Sequence, residues 1–314
     1  MKVYEEYNEC TLCPRNCRVN RNEGQKGFCK MPSSSVVNLI MHHFGEEPVI
    51  SGTNPELRRG SGTVFFEGCT LRCAFCQNHE ISNSETARGQ IMDASELAAN
   101  YLRLQDEGVY NINLVTATHF APVVIDSLKI AKDNGLHIPV VYNCSGFEKV
   151  ETIKKLDGLV DVYLPDMKFC GSQLAGEISS APDYFETAKL ALEEMVRQTG
   201  EIRINDEGIM EKGVIVRHLM LPGELFDTRK ILDYLLDNYG NRIYISLMCQ
   251  YTPCEEYINS NKNLSDSLRK KLLGTLNMNH YEAMADYLYG LGQENAFIQE
   301  EQSKGNTFLP DFNV

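Results

Sequence analysis

The chain has 314 residues, of which 43% are hydrophobic and 23% charged, proportions of a globular protein with a sizeable core. A formal net charge of −13 argues against a nucleic-acid or anionic-membrane surface, which needs an excess of Lys and Arg. No window reaches the roughly 18 apolar residues of a membrane span, and "MKVYEEYNEC" lacks the basic and apolar regions of a signal peptide. The expected location is therefore cytoplasmic, where the 11 cysteines serve as thiols or metal ligands rather than as disulfides.

In chain order, Cys10, Cys13, Cys17 and Cys29 come first, within "CTLCPRNCRVNRNEGQKGFC". "PSSS" reads as a linker, so residues 1–35 are expected to form a cysteine-rich metal-binding segment. "VVNLIMHHFGEEPVISG" follows, and its β-rich run and Gly-Glu-Glu-Pro turn suggest a strand pair. A strand–helix rhythm then begins. Short apolar strands are expected at Thr63–Glu67, Asn111–Val115, Pro139–Asn143, Val160–Leu164, Val214–Leu219 and Arg242–Leu247.

Between the strands lie helical periods. "MDASELAANYLRLQDEG" has Asp93 and Glu96 at capping-box spacing, with Leu97, Tyr101 and Leu104 on one face. "APDYFETAKLALEEMVRQTG" aligns Phe185, Ala188, Leu192 and Met195 and stops at Gly200. "GELFDTRKILDYLLDNYG" and "HYEAMADYLYGLG" are the other clear helices. Six strands alternating with helices predict an α/β fold with a parallel sheet, either a partial barrel or an open sheet, with chemistry at the C-terminal strand ends. The barrel is expected over 36–300 and a tail over 301–314.

Just past the first of these strands, "FFEGCTLRCAFCQNHEIS" places Cys69, Cys73 and Cys76 on one short loop. Three thiolates can hold three corners of a [4Fe–4S] cube and leave the fourth iron without a protein ligand. An open metal position marks a site that does chemistry, whereas a closed set supports structure. The CxxxCxxC pattern followed by "QN" after a Gly-ended strand resembles the radical S-adenosylmethionine superfamily. The resemblance implies a [4Fe–4S] cluster that binds S-adenosylmethionine at its open iron. Cleavage by one electron then gives a 5′-deoxyadenosyl radical that abstracts a substrate hydrogen.

Within that superfamily, "EEPVISG", "YLPDMKF", "VRHLMLPG", "SLMCQYTP" and "FIQE" are similar to the branch of proteins like pyruvate formate-lyase-activating enzyme. This likeness implies a (β/α)6 partial barrel and a low-potential donor of the flavodoxin or ferredoxin type. It also implies a glycyl radical enzyme as protein substrate, with another peptide, another protein or a small molecule as the alternative. Residue by residue, it places Asn143 to Gly146, including Ser145, at a cofactor-binding turn. Asp166 and Lys168 match a D-x-K pair beside the methionyl end of the cofactor, and Arg217 matches an arginine near its carboxylate or the substrate. A planar guanidinium suits such a grip on a carboxylate.

One departure stands out: where many members carry Gly-Gly-Glu, this chain reads Thr116, Ala117, Thr118, His119. Thr116 and Thr118 are the candidates for the same cofactor contact, and His119 is a candidate for handling a substrate proton. For Cys10, Cys13, Cys17 and Cys29 two fillings compete: a four-thiolate zinc staple, which is favoured, or a second [4Fe–4S] cluster. Cys144, Cys170, Cys249 and Cys254 are expected to be buried free thiols. A non-catalytic iron–sulfur or zinc protein is the competing class.

Overall fold

The structure is a computed structural model that describes residues 2–57, 59–300 and 312. The expected tail at 301–314 therefore lies outside the described residues except for Phe312. The strands are β1 (Ser35–His43), β2 (Ser61–Phe66), β3 (Gln90–Met92), β4 (Ile112–Val115), β5 (Val140–Cys144), β6 (Val162–Pro165), β7 (Arg203–Ile204), β8 (Met210–Leu219), β9 (Tyr244–Met248) and β10 (Ala296–Ile298). They form one mixed sheet in the order β10-β9-β8-β6-β5-β4-β2-β1-β3, with β7 paired to β8. From β2 to β10 every neighbouring pair on this path is parallel. The path is open, ending at β3 and β10, as a partial barrel requires.

Each of the six expected parallel strands overlaps an observed one, and β10 adds a seventh, pairing in parallel with β9. The expected strand pair within residues 36–52 does not form. β1 does form, but its antiparallel partners are β2 and β3, and the segment after the turn is a short helix, Pro48–Ser51. Pro at the first helical position suits that helix, because its missing N–H and fixed φ cost nothing there.

The helices follow the sequence closely. Helix Ala94–Asp106 is closed by the expected capping box: Asp93 accepts from the N–H groups of Ser95 and Glu96, while Glu96 accepts from that of Asp93. Helix Tyr184–Thr199 buries Ala188, Leu192 and Met195, while Phe185 is only half-buried and meets Tyr234 edge-on.

Alternation along the strands sends every second side chain inward. Val141, Val162, Leu164, Met210 and Ile215 pack with Val49 and Ile50 into a separate apolar cluster. The turn and helix after β1 thus supply side chains to the inside of the sheet. Above this cluster Arg217 donates from Nε to Glu47 Oε1 at 2.8 Å and from Nη2 to Glu47 Oε2 at 2.5 Å, and Nη2 also reaches Glu46. Asn113 donates to Glu46 at 2.8 Å, and Ser246 hydrogen-bonds Glu47. No helix among the described residues is long and apolar enough to cross a membrane.

Arg217→Met strands two carboxylates in the interior without their cation. It is expected to lower the unfolding free energy by about 3–5 kcal/mol. Anaerobic urea denaturation followed by circular dichroism would read this as a lower midpoint. Arg229→Met is the control: that guanidinium is half exposed, 3.9 Å from Asp233, and its loss should cost less than about 1 kcal/mol.

Candidate active site

β2 ends at Phe66, and Glu67 and Gly68 lead into the cysteine loop. Gly68 has φ +82, and a Cβ there would lie 2.4 Å from Met31 Cγ and 2.9 Å from the Cys29 carbonyl oxygen. Only glycine fits this position. Within the loop Arg72 is also left-handed, at φ 52, and its guanidinium ties the loop to Asn83 and Glu85. These contacts fix the backbone of the loop.

Cys69, Cys73 and Cys76 line one wall of a cavity of about 240 Å³ at the C-terminal strand ends. Each sulfur has a donor: the Leu71 N–H at 3.3 Å for Cys69, the Ser179 hydroxyl at 3.0 Å for Cys73 and the Ser82 hydroxyl at 3.2 Å for Cys76. Burial pushes the Cys73 thiol up to about 12 and the Cys76 thiol up to about 11. At neutral pH these groups ionise only when a cationic metal centre binds them. Three thiols on one loop at the cavity wall, each met by a hydrogen-bond donor, are a donor set that fits three corners of a cluster.

The other walls come from the ends of β4, β5, β6 and β8. Thr116, Asn143, Cys144, Ser145, Asp166, Lys168 and Arg217 all line the cavity. Lys168 pairs with Asp166 at 2.7 Å. Burial alone would depress the Lys168 pKa, but the Asp166 carboxylate and the Cys73 and Cys76 sulfurs hold it above the usual lysine value. Tyr184 locks this corner, accepting from the Lys168 N–H at 2.9 Å and donating to the carbonyls of Ser145 and Asp166. Gly146 closes it, because a Cβ there would meet the Asp166 carbonyl at 2.1 Å. Thr116 sits at φ 61, a costly conformation for a β-branched residue and one that persists where the surroundings enforce it.

Three expectations change. Arg217 lines the cavity, but its guanidinium is already held by Glu46 and Glu47 and is not free to grip a ligand carboxylate. His119 does not line it: Nε2 donates to the Glu67 carbonyl at 2.7 Å, and burial, with Arg21 nearby, lowers its pKa to about 3. It is a neutral packing residue behind the loop. Thr118 also points away, donating to Glu148 at 2.9 Å. Among the leftover cysteines, Cys144 and Cys249 are buried, whereas Cys170 and Cys254 are half-buried, with Cys254 Sγ 3.6 Å from His79.

Sequence reasoning missed Glu46, Asn113, Ser82, Ser179 and Glu148. The "GEEP" turn was the signal for Glu46, but nothing local tied it to Arg217. A cleft of about 370 Å³ beside Lys2, Ser33, Asp93 and Asp126 is larger but contains none of the sulfur donors.

Burial also pushes the Glu148 carboxyl up to about 8 from an ordinary 4.5. The folded chain then keeps a proton that the unfolded chain has released, so this group's contribution to stability falls as pH rises from about 5 to about 8. Glu148→Gln should flatten that fall. The check is the variant's denaturation midpoint relative to the parent at both ends of the range, where the advantage should grow with pH.

A family profile described as "Radical SAM superfamily" matches residues 63–235. The chain is 30% identical over 267 residues to an uncharacterized protein of Methanocaldococcus jannaschii, covering 82% of this chain and 71% of that one. It is 32% identical over 102 residues to a pyruvate formate-lyase-activating enzyme of Clostridium pasteurianum, covering 31% and 42%. Among solved structures, SuiB of Streptococcus suis bound to S-adenosylmethionine aligns with a TM-score of 0.49 at 16% identity, over 74% of this chain and 48% of that one. HydG, a maturase of the [FeFe]-hydrogenase, aligns at 0.43 and 19%, over 65% and 46%. The chain thus spans just under half the length of these two structures.

Proposed function

The chain belongs to the radical SAM superfamily, and from that premise we propose that it activates a protein substrate as pyruvate formate-lyase-activating enzymes do, by removing a hydrogen from a glycine of a glycyl radical enzyme. The observation that carries the reading is that three loop thiols and the Asp166–Lys168 pair line one cavity. The stretch of similarity to the clostridial activating enzyme supports the choice of substrate.

In this reading Cys69, Cys73 and Cys76 would hold a [4Fe–4S] cluster, which together with bound S-adenosylmethionine would supply one-electron radical chemistry. The protein's part is placement. Lys168 and Asp166, half-buried and paired with each other, would exchange that pairing for the methionyl carboxylate and amino group respectively. Thr116 is the one residue of 116–119 that lines the cavity, so it takes the place of the Gly-Gly-Glu turn. Phe75, packed edge-on against Phe169 and tilted against Tyr251, keeps water off the loop. An external low-potential donor supplies the electron.

Anaerobically reconstituted protein is expected to release 5′-deoxyadenosine from S-adenosylmethionine under dithionite. Cys69→Ala should abolish release, and Lys168→Ala should weaken cofactor binding at least about tenfold, or about 1.4 kcal/mol. A glycyl doublet in the electron paramagnetic resonance (EPR) spectrum of a candidate partner completes the test. Cleavage without a doublet on any of the host's glycyl radical enzymes would reject the activating role.

A further inference from the structure

Two buried serine hydroxyls meet sulfurs of the cysteine loop. Ser82 donates to Cys76 Sγ at 3.2 Å and Ser179 to Cys73 Sγ at 3.0 Å. The two serines are 7% and 2% exposed, so solvent offers little competition as an acceptor. The third sulfur, that of Cys69, is met by the Leu71 N–H at 3.3 Å.

A chain of donors sets the direction of the Ser82 bond. Arg72 donates from Nε to Asn83 Oδ1 at 3.1 Å, which settles which end of that amide faces Ser82. Asn83 Nδ2 then donates to Ser82 Oγ at 3.2 Å, and the serine hydrogen is left for the sulfur. A cation thus stands at the head of the chain and a sulfur at its tail, an arrangement in which each bond polarises the next. Glu85 shares the Arg72 guanidinium at 2.7 Å, but that carboxylate is 65% exposed and screened by water.

Ser179 is placed by other means. It is the last residue of helix Ser172–Ser179, and Ser180 beyond it is left-handed at φ 52. Its carbonyl accepts from Arg15 at 2.6 Å. Arg15 stands between Cys13 and Cys17, which with Cys10 and Cys29 are free thiols that do not line the cavity. The N-terminal segment therefore holds the backbone of Ser179 while the hydroxyl turns to Cys73.

The loop does not need these hydroxyls to keep its shape. Main-chain bonds already anchor it: the Gly68 N–H to the Ile81 carbonyl at 2.9 Å, the Ala74 N–H to the Ile178 carbonyl at 3.0 Å and the Cys76 N–H to the Cys73 carbonyl at 3.0 Å. What each hydroxyl adds is partial positive charge at a sulfur. Hydrogen bonds to the sulfurs of an iron–sulfur cluster favour the form that carries one more electron, and so raise its reduction potential.

We propose that Ser82 and Ser179 are positioning residues that raise the reduction potential of the [4Fe–4S] cluster on Cys69, Cys73 and Cys76, bringing it within reach of a low-potential donor. Arg72 and Asn83 hold the Ser82 hydrogen on its sulfur. The electron itself comes from the external donor; the serines set how much of the cluster is reduced at a given potential. This inference rests on the reading of the loop as a radical SAM centre and not on the glycyl substrate.

The test is an EPR-monitored redox titration of full-length, anaerobically reconstituted protein, following the reduced-cluster signal that S-adenosylmethionine alters. At the parent's midpoint, the ratio of reduced to oxidised cluster should fall at least about threefold in Ser82→Ala and in Ser179→Ala. In the double variant it should fall at least about tenfold, which for one electron is about 59 mV. Ser82→Thr and Ser179→Thr keep a hydroxyl and should stay within about twofold of the parent. Alanine variants with an unmoved potential overturn the proposal, as do threonine variants that fall as far as the alanine ones. If an alanine variant holds no cluster, Asn83→Asp decides: its carboxylate keeps the Arg72 contact but draws the Ser82 hydrogen off the sulfur. The ratio should again fall at least about threefold, and no fall overturns the proposal. A parent without the signal rejects the cluster itself, a failure distinct from a signal that is present and unmoved.

Discussion

Arg217 is held between Glu46 and Glu47, carboxylates that reach it from a turn about 170 residues earlier in the chain. All three side chains are nearly inaccessible to water. An ion cluster this deep is stable only when every charge has a partner, because losing one leaves another buried without compensation. It therefore fixes the turn after β1 to β8, with Ser246 of β9 and Asn113 of β4 completing the hydrogen bonds. Val49 and Ile50 fill the space beside the lower strands. What is left open is the cavity at the C-terminal strand ends, where the cysteine loop lies.

That cavity shows how far the sequence could be read. The six expected strands, the capping box at Asp93 and the three-cysteine loop were all legible, because each is a local pattern: period-two apolar runs, an N-cap at fixed spacing, thiols within one turn. Asp166 and Lys168 followed from the resemblance of "PDMK". The second strand expected after β1 failed because a Gly-Glu-Glu-Pro turn looks the same whether the chain returns beside itself or enters the sheet's interior. Arg217 and His119 are held differently from the expectation, for a related reason. A strand-end arginine or histidine reads as available until the structure shows a distant partner, here Glu46 and Glu47 for one and the Glu67 carbonyl for the other. Pairings between residues that stand 52 and 171 positions apart leave no local trace.

The two cysteine sets differ in count, with three thiols on the loop after β2 and four near the start of the chain. Both depend on backbone conformations that side chains resist, at Gly68 and Arg72 for the loop and at Asn16, Arg18 and Lys30 for the N-terminal set. The strain is tolerable because the two sets brace each other. Gly68 has no room for a side chain with Cys29 and Met31 against it, and Arg15 joins the turn around Cys13 to the carbonyls around Cys69 and Cys73. Phe28, Phe147 and the buried Arg21 make this junction part of the core rather than an appended flap.

The central claim is that the loop of Cys69, Cys73 and Cys76 leaves one iron free and that S-adenosylmethionine binds to it. The most direct measurement is electron–nuclear double resonance on the reduced protein, with the cofactor isotopically labelled in its amino nitrogen and carboxylate oxygens. The account predicts hyperfine couplings from both labels strong enough to require direct bonding to iron. Bound cofactor with neither coupling would contradict it.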